Sequence, residues 1–191
     1  MKVFSATATA LAFLAAPVFA APEAYELDPS HSQVVFTYEH FGFSTTTNMF
    51  AGINGNISFD QENPANSSVS VSFPVKSLYT GWEARYEDFM GERFFNAQDD
   101  EVVTFKSTGI EVTGEKTAKI TGDLTLNGVT KSVVLDAEMN SAREHPMAKK
   151  AWAGFDATTT LLRSDYNLGF AAPAVSDAVE VYISIEAAAA E

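Results

Sequence analysis

The 191-residue sequence predicts an all-β domain, a barrel or sandwich of about eight antiparallel strands. Apolar and polar residues alternate strictly in several stretches, such as Val69, Val71, Phe73 and Val75 against Ser68, Ser70 and Ser72. A period of two gives a strand with one buried and one wet face. Asn127-Gly128 lies between two such stretches, and both residues accept the positive φ of a tight hairpin turn. Turn residues at Asn63-Pro64, Thr113-Gly114 and Gly169 punctuate the rest. No internal repeat or linker appears, so residues 21–191 read as a single domain.

Residues 1–20, MKVFSATATALAFLAAPVFA, form an export signal. Lys2 is its positive start, Ala8 to Ala16 its apolar stretch, and cleavage is expected after Ala20. Strands follow at Gln33–Phe41 and Phe50–Phe59. Glycines 42, 52 and 55 interrupt this region and either leave room or mark bends. After the strand from Ser68 to Val75, Thr80-Gly81-Trp82-Glu83 has the spacing of a capping box. Trp82, Tyr86, Phe89 and Met90 then share one helical face, with Glu87 and Asp88 opposite. Gly91 is placed to supply a left-handed stop. One short amphipathic helix over about residues 81–90 is expected.

The remaining strands are Val102–Ser107, the hairpin of Ile120–Leu126 with Val129–Met139, then Ala153–Leu161, and last Val179 to Ile185. In the hairpin, Ile120, Gly122, Leu124 and Leu126 share one face, as do Val133, Leu135, Ala137 and Met139. Ala187–Ala190 is expected to be a frayed end.

Composition removes several function classes. The absence of cysteine excludes disulfides, thiolate catalysis and Cys-ligated zinc. A net charge of -13 argues against nucleic acid and anionic surfaces as partners. No apolar run after residue 20 is long enough to span a bilayer, so stable membrane insertion is not expected. His31 and His40 are nine residues apart and fall on opposite faces of a regular strand, so no metal site is expected. His31 is placed at the barrel mouth, and His40 against a backbone carbonyl or a ligand headgroup. Asp28, His31 and Ser32 are too close in sequence to converge as a hydrolytic triad, and there is no Gly-x-Ser-x-Gly elbow. Arg163 and Asp165 would share a face of a strand. They read as a buried salt bridge closing one barrel end, or Arg163 meets a phosphate or quinone oxygen.

A barrel of this size can be filled by its own side chains or hold one small ligand. The chain carries 15 Phe, 6 Tyr and 2 Trp. They concentrate between Phe36 and Phe50 and between Trp82 and Phe95. A chain-like lipid would gain roughly 3–4 kcal/mol per buried isoprene unit, at ~0.8 kcal/mol per carbon.

An ordered set of motifs then narrows the choice. It runs from Tyr25-Glu26-Leu27-Asp28 and His31-Ser32 through Val34-x-Phe36-x-x-x-His40-x-Gly42, Phe50-x-Gly52 and Gly55-x-Ile57-x-Phe59-Asp60. It continues with Ser77-Leu78-Tyr79-Thr80, Arg85, Phe94-Phe95-Asn96-Ala97 and Thr104-Phe105-Lys106-Ser107-Thr108. Gly122-Asp123-Leu124-Thr125-Leu126-Asn127-Gly128-Val129-Thr130-Lys131 is the most diagnostic stretch. Arg163-Ser164-Asp165-Tyr166 and Val175-Ser176-Asp177-x-Val179 close the set.

Over essentially its whole mature length the chain resembles the YceI family of exported, lipocalin-like, polyisoprenoid-binding proteins. It departs from the family pattern at Asp88-Phe89, Asp99-Asp100-Glu101, Leu162 and Asn167. The resemblance implies an extended eight-stranded antiparallel barrel, an isoprenoid lipid (ubiquinone-like or polyprenyl) in its apolar pore, and a periplasmic setting.

The expected function is a non-enzymatic binding or carrier protein that needs no cofactor, with a homodimer left open. The expected ligand-binding residues are Phe36, Tyr38, His40, Phe50, Trp82, Tyr86, Phe89, Phe94, Phe105, Leu124, Phe155, Arg163 and Tyr166. Two alternatives stand beside it. One is a quinone-dependent redox protein or partner of a membrane cytochrome. The other is a stress-related structural protein whose barrel is packed and empty of ligand.

Overall fold

The structure is a computed structural model describing residues 21–190; the export signal read at 1–20 lies outside the described residues. Its strand segments are β1 (Glu23–Leu27), β2 (Gln33–His40), β3 (Ser44–Phe50), β4 (Asn54–Phe59), β5 (Ser68–Pro74), β6 (Leu78–Tyr79), β7 (Val102–Val112), β8 (Thr117–Leu126), β9 (Val129–Glu144), β10 (Ala151–Leu162) and β11 (Ala178–Ala189). The helix α1 covers Glu83–Met90. Short 3-10 turns sit at Pro64–Asn66, Val75–Ser77 and Arg163–Tyr166.

These segments make a closed eight-stranded antiparallel barrel. Three of its staves are broken in two. β1 and β2 both pair with β11, at opposite ends of it, so together they form one stave. β4 pairs with β1 and β3 with β2, which makes β3 and β4 the second. β5 pairs with β4 and β6 with β3, which makes the third. From there β7, β8, β9, β10 and β11 follow in order, each hydrogen-bonded to the next. The chain therefore winds up and down, and closure comes from its first strand meeting its last.

That closure corrects one expectation. Ala187–Ala190 is not a frayed end. Tyr25, Glu26 and Leu27 pair with Ala189, Ala188 and Ala187, and the Ala190 N–H donates to the Ala24 carbonyl at 2.8 Å. Ala187 is 0% exposed and lies between Leu27 and Ala153 in register. Alanines suit this position because two neighbouring strands and the core approach closely.

The expected strand Phe50–Phe59 forms only as β4; Phe50 instead ends β3, a strand the sequence did not announce, and Gly52 at φ 66 turns the chain between them. Gly55 has φ 155, and a Cβ there would stand 2.2 Å from the Ser70 carbonyl oxygen. Both glycines serve bends and close approach.

β7 and β9 both run past the ends read from the sequence. In β7 the register shifts between Ser107 and Gly109, which moves the inward parity from Val103 and Phe105 to Ile110 and Val112. In β9 the partner of Gly154 is Ser141 and that of Phe155 is Met139, so Asn140 is the extra residue. A bulge reverses alternation, and a pattern search stops there.

The Asn127-Gly128 turn forms as read, with φ 49 and 71. Asn167 is left-handed at φ 59, a conformation its short polar side chain tolerates.

Helix α1 is shorter than expected and capped differently. It begins at Glu83, with Trp82 as an extended N-cap residue. The Thr80 hydroxyl donates to the Trp82 carbonyl at 2.7 Å and accepts from the Trp82 N–H at 3.3 Å. It thus closes a local turn, and no capping box forms. The Arg85 guanidinium donates to the Thr80 carbonyl at 2.9 Å and pins the helix start. Gly91 stays extended at φ -77, whereas Gly81 ahead of the helix takes the left-handed position at φ 73.

Candidate ligand-binding site

The inward faces of the staves do not fill the barrel. They leave a cavity of about 810 Å³, within the roughly 300–1,000 Å³ typical of small-molecule sites. Its walls are almost wholly apolar, so the packed barrel considered from the sequence is not the interior this chain builds.

Aromatic contacts divide the wall into layers. At mid-depth Phe36 stacks on Phe50 at 5.6 Å between ring centres, and Phe50 meets Phe73 at 5.1 Å. Phe105 crosses over Gly122, where a Cβ would lie 2.4 Å from its ring, so that glycine makes room for the ring. Phe155 meets Phe59 edge-on at 5.4 Å, and Leu124 lines the wall beside them. Toward the helix, Tyr38 meets Phe89 at 6.2 Å and Phe89 meets Phe94 at 5.1 Å. Phe94 in turn meets Phe170 at 5.7 Å. His40, Phe41, Trp82 and Arg163 also line this helix end, with Tyr166 below.

Of the residues expected to bind ligand, Tyr86 alone does not line the cavity. Its hydroxyl donates to the Lys76 carbonyl at 3.4 Å and its ring packs on the core from outside. A helix presents a stripe, and the residues on it do not all reach the same depth. The sequence reading missed Phe41, Phe170 and the aliphatic wall of Leu135, Val181 and Ile183. Alternation already placed those aliphatic residues on one face. Nothing in the sequence said that this face borders a void.

Arg163 differs most from its expectation. It lies in a 3-10 turn with about three residues per turn, so Arg163 and Asp165 do not share a face. Asp165 accepts from Lys131 at 2.7 Å instead. The guanidinium donates to the carbonyls of Ser176 (2.7 Å), Val175 (2.8 Å), Phe170 (2.9 Å) and Leu168. Burial pulls the Arg163 pKa below its ordinary value, opposed by nearby Asp177 and Tyr38. Asp177 is itself held low by the Ser164 hydroxyl and backbone N–H. Arg163 therefore fastens the loop of residues 168–176 over the barrel end, with four of its five N–H donors committed to that loop.

The histidines separate as expected but sit in other surroundings. The His40 ring packs edge-on against Phe41 at 4.7 Å and makes no hydrogen bond among the described residues. His31 does not line the cavity. It is exposed between β1 and β2, with its Nδ1 2.7 Å from Asp28. Donor atoms of Asp28, His31 and Glu186 lie within 4.8 Å of one another there, and Trp152 Nε1 donates to Glu186 at 2.8 Å. Ser32 is buried, and its hydroxyl accepts from the Glu186 N–H at 3.3 Å. It does not join His31 as a nucleophile would.

The YceI-like domain model matches residues 25–187. The chain belongs to the YceI-like family. It is 37% identical to a UPF0312 protein of Ectopseudomonas mendocina over 92% of this chain and 91% of that one. The crystal structure of a YceI protein from Campylobacter jejuni superposes with a TM-score of 0.72 at 26% identity, covering 80% of this chain and 90% of that one. A polyisoprenoid binding domain from Saccharophagus degradans shares the fold, with a TM-score of 0.66 at 17% identity, over 88% and 99% of the two chains.

Proposed function

We propose that this YceI-like protein is a non-enzymatic carrier that holds the hydrocarbon chain of an isoprenoid lipid inside its barrel. The observation that carries this is the apolar cavity of about 810 Å³ walled by Phe36, Phe50, Phe105 and Phe155. Burial of three or four isoprene units there offsets the ordering cost and reaches micromolar affinity or better, at roughly 3–4 kcal/mol per unit. The polyisoprenoid binding recorded for the Saccharophagus degradans domain supports the same ligand class. The export signal expected at residues 1–20 would place that action in the periplasm.

A redox role would need polar groups aimed at a quinone ring. Arg163, the strongest donor near the mouth, is already engaged by four carbonyls.

Native mass spectrometry of protein taken directly from the periplasm, followed by organic extraction, tests the proposal. A bound isoprenoid is expected. Protein that arrives empty and takes up no prenyl quinone or polyprenol overturns it. Phe36→Asp separates binding from folding: prenyl-quinone affinity should fall about tenfold or more while soluble yield falls less. Equal losses in both would mean that Phe36 serves the core alone.

A further inference from the structure

The end of the barrel under α1 carries an apolar rim that stays exposed among the described residues. Phe43 is 89% exposed and Trp82 65% exposed, and Phe41 and Phe170 are about half-exposed. Three of the four also line the lipid cavity, so the rim and the cavity wall are one continuous apolar surface. The rim comes from separate segments. Phe41 and Phe43 form the tip between β2 and β3, Trp82 precedes α1, and Phe170 lies in the loop held by Arg163. The Phe41 N–H donates to the Ala174 carbonyl at 2.9 Å, which ties the tip to that loop.

The tip is held in an unusual backbone. Phe41 has φ 54 and Gly42 φ 71, and the Phe43 N–H returns to the His40 carbonyl at 3.0 Å. A bulky aromatic in the left-handed region is costly, and such conformations cluster where a protein acts on something. Hairpin tips are ordinarily polar. Here two phenylalanines flank a glycine; Phe41 is about half-exposed at the cavity edge and Phe43 is almost wholly exposed.

We infer that this rim is a docking surface for a zwitterionic lipid bilayer, seated so that the barrel opens directly into the acyl region. Aromatic side chains partition to the bilayer interface, and a contiguous exposed apolar patch marks an interaction site. The cavity supports this occupant. A ligand leaving the mouth into water would expose its whole hydrocarbon chain, whereas the rim lets it pass between two apolar phases. Charge decides the lipid class. Arg85 lies over Trp82 at 6.0 Å and Arg93 over Phe170 at 5.1 Å, so the rim carries two cations beside its rings. Arg93 is paired with Asp88, Glu39 adjoins the tip, and the chain carries a net charge of -13, so an anionic bilayer repels it. Among the described residues no helix is long and apolar enough to cross a membrane, consistent with seating at the surface. The inference relies on the carrier reading for what passes through the mouth, not for the docking itself.

Flotation of the mature protein with phosphatidylcholine vesicles is the test, with Phe43→Ser as the variant. Phe43 does not line the cavity, so prenyl-quinone uptake in vesicle-free solution should be unchanged in the variant. Vesicle partitioning should fall about tenfold or more, the loss expected from one aromatic side chain. Added phosphatidylglycerol should weaken binding at low salt. A wild type that does not float with phosphatidylcholine, or a Phe43→Ser protein that floats equally well, overturns the inference. So does a requirement for phosphatidylglycerol. A wild-type dimer dissociated by Phe43→Ser with no vesicle binding overturns it as well, because the rim is then a self-association face. Failure of the wild type to take up prenyl quinone defeats the carrier reading instead and leaves the flotation result to stand or fall alone.

Discussion

Two apolar regions of this barrel have opposite fates. At the seam, β1 and β10 flank β11, and Ala187 is shut between Leu27 and Ala153. At the mouth, Phe41, Trp82 and Phe170 keep much of their surface exposed around an opening. Both regions read as hydrophobic in the sequence. The seam consumes its apolar surface in packing, because small side chains let strands approach and exclude water. The mouth covers its rings only in part: Phe41 meets His40 and Phe170 meets Phe94, and each still keeps about half of its surface exposed. The seam is the fully buried part of this contrast, and the mouth is where we propose that recognition takes place.

Three perturbations break or sharpen that contrast, and the largest effect is at the seam. Ala187→Asp puts an unpaired charge in a fully buried site and should cost about 3–5 kcal/mol, reducing cooperative unfolding stability in urea for the whole barrel. A modest change confined to the chain terminus would show that closure does not depend on this strand pair. At the mouth, Arg163→Met deprives the Leu168, Phe170, Val175 and Ser176 carbonyls of their shared donor. About 2–3 kcal/mol is expected. The loss should be local: hydrogen exchange should rise at residues 168–176 while the ladders of β8 to β10 keep their protection. If all amides lose protection together, the mouth is not a separate unit.

The smallest effect lies on the outer wall. The hydrogen bond between Asp28 and His31 raises the His31 pKa above its ordinary 6.5 and, together with the Ser30 contacts, lowers that of Asp28 below its ordinary 3.8. The raised histidine contributes stability below its unfolded pKa and loses it as pH rises through the folded value. The lowered carboxylate contributes above its unfolded pKa and loses it as pH falls through the folded value. The pair is therefore fully effective between those ordinary values. Comparing wild type with His31→Asn across pH should show a small gap that is widest there and closes in alkali. A gap that widens above neutral pH would contradict this pairing.

Most of the staves, the hairpin at Asn127-Gly128 and the inward faces of β8, β9 and β11 were legible in the sequence, whereas the short segments β1, β3 and β6 were not. Alternation and turn chemistry act over a few residues, so they can be read locally. The expected ends failed where a bulge reversed the parity, after Ser107 in β7 and after Met139 in β9. The cavity wall was legible as a set of aromatic residues. Tyr86 was misplaced because helical periodicity gives direction but not depth. Arg163 was misread because a 3-10 turn stood where a strand was assumed.

The sequence by itself determined which residues share a face within each regular stretch of strand, since the side-chain period is set by the backbone and changes only at a bulge. Closure, and with it the seam at Ala187, was decided only when the two ends of the chain met. The cavity likewise depended on how far apart eight tilted staves hold facing side chains, a distance that no local pattern encodes. So did the exposure of Phe43 and Trp82, because a residue is left uncovered only by where every other part of the chain has gone.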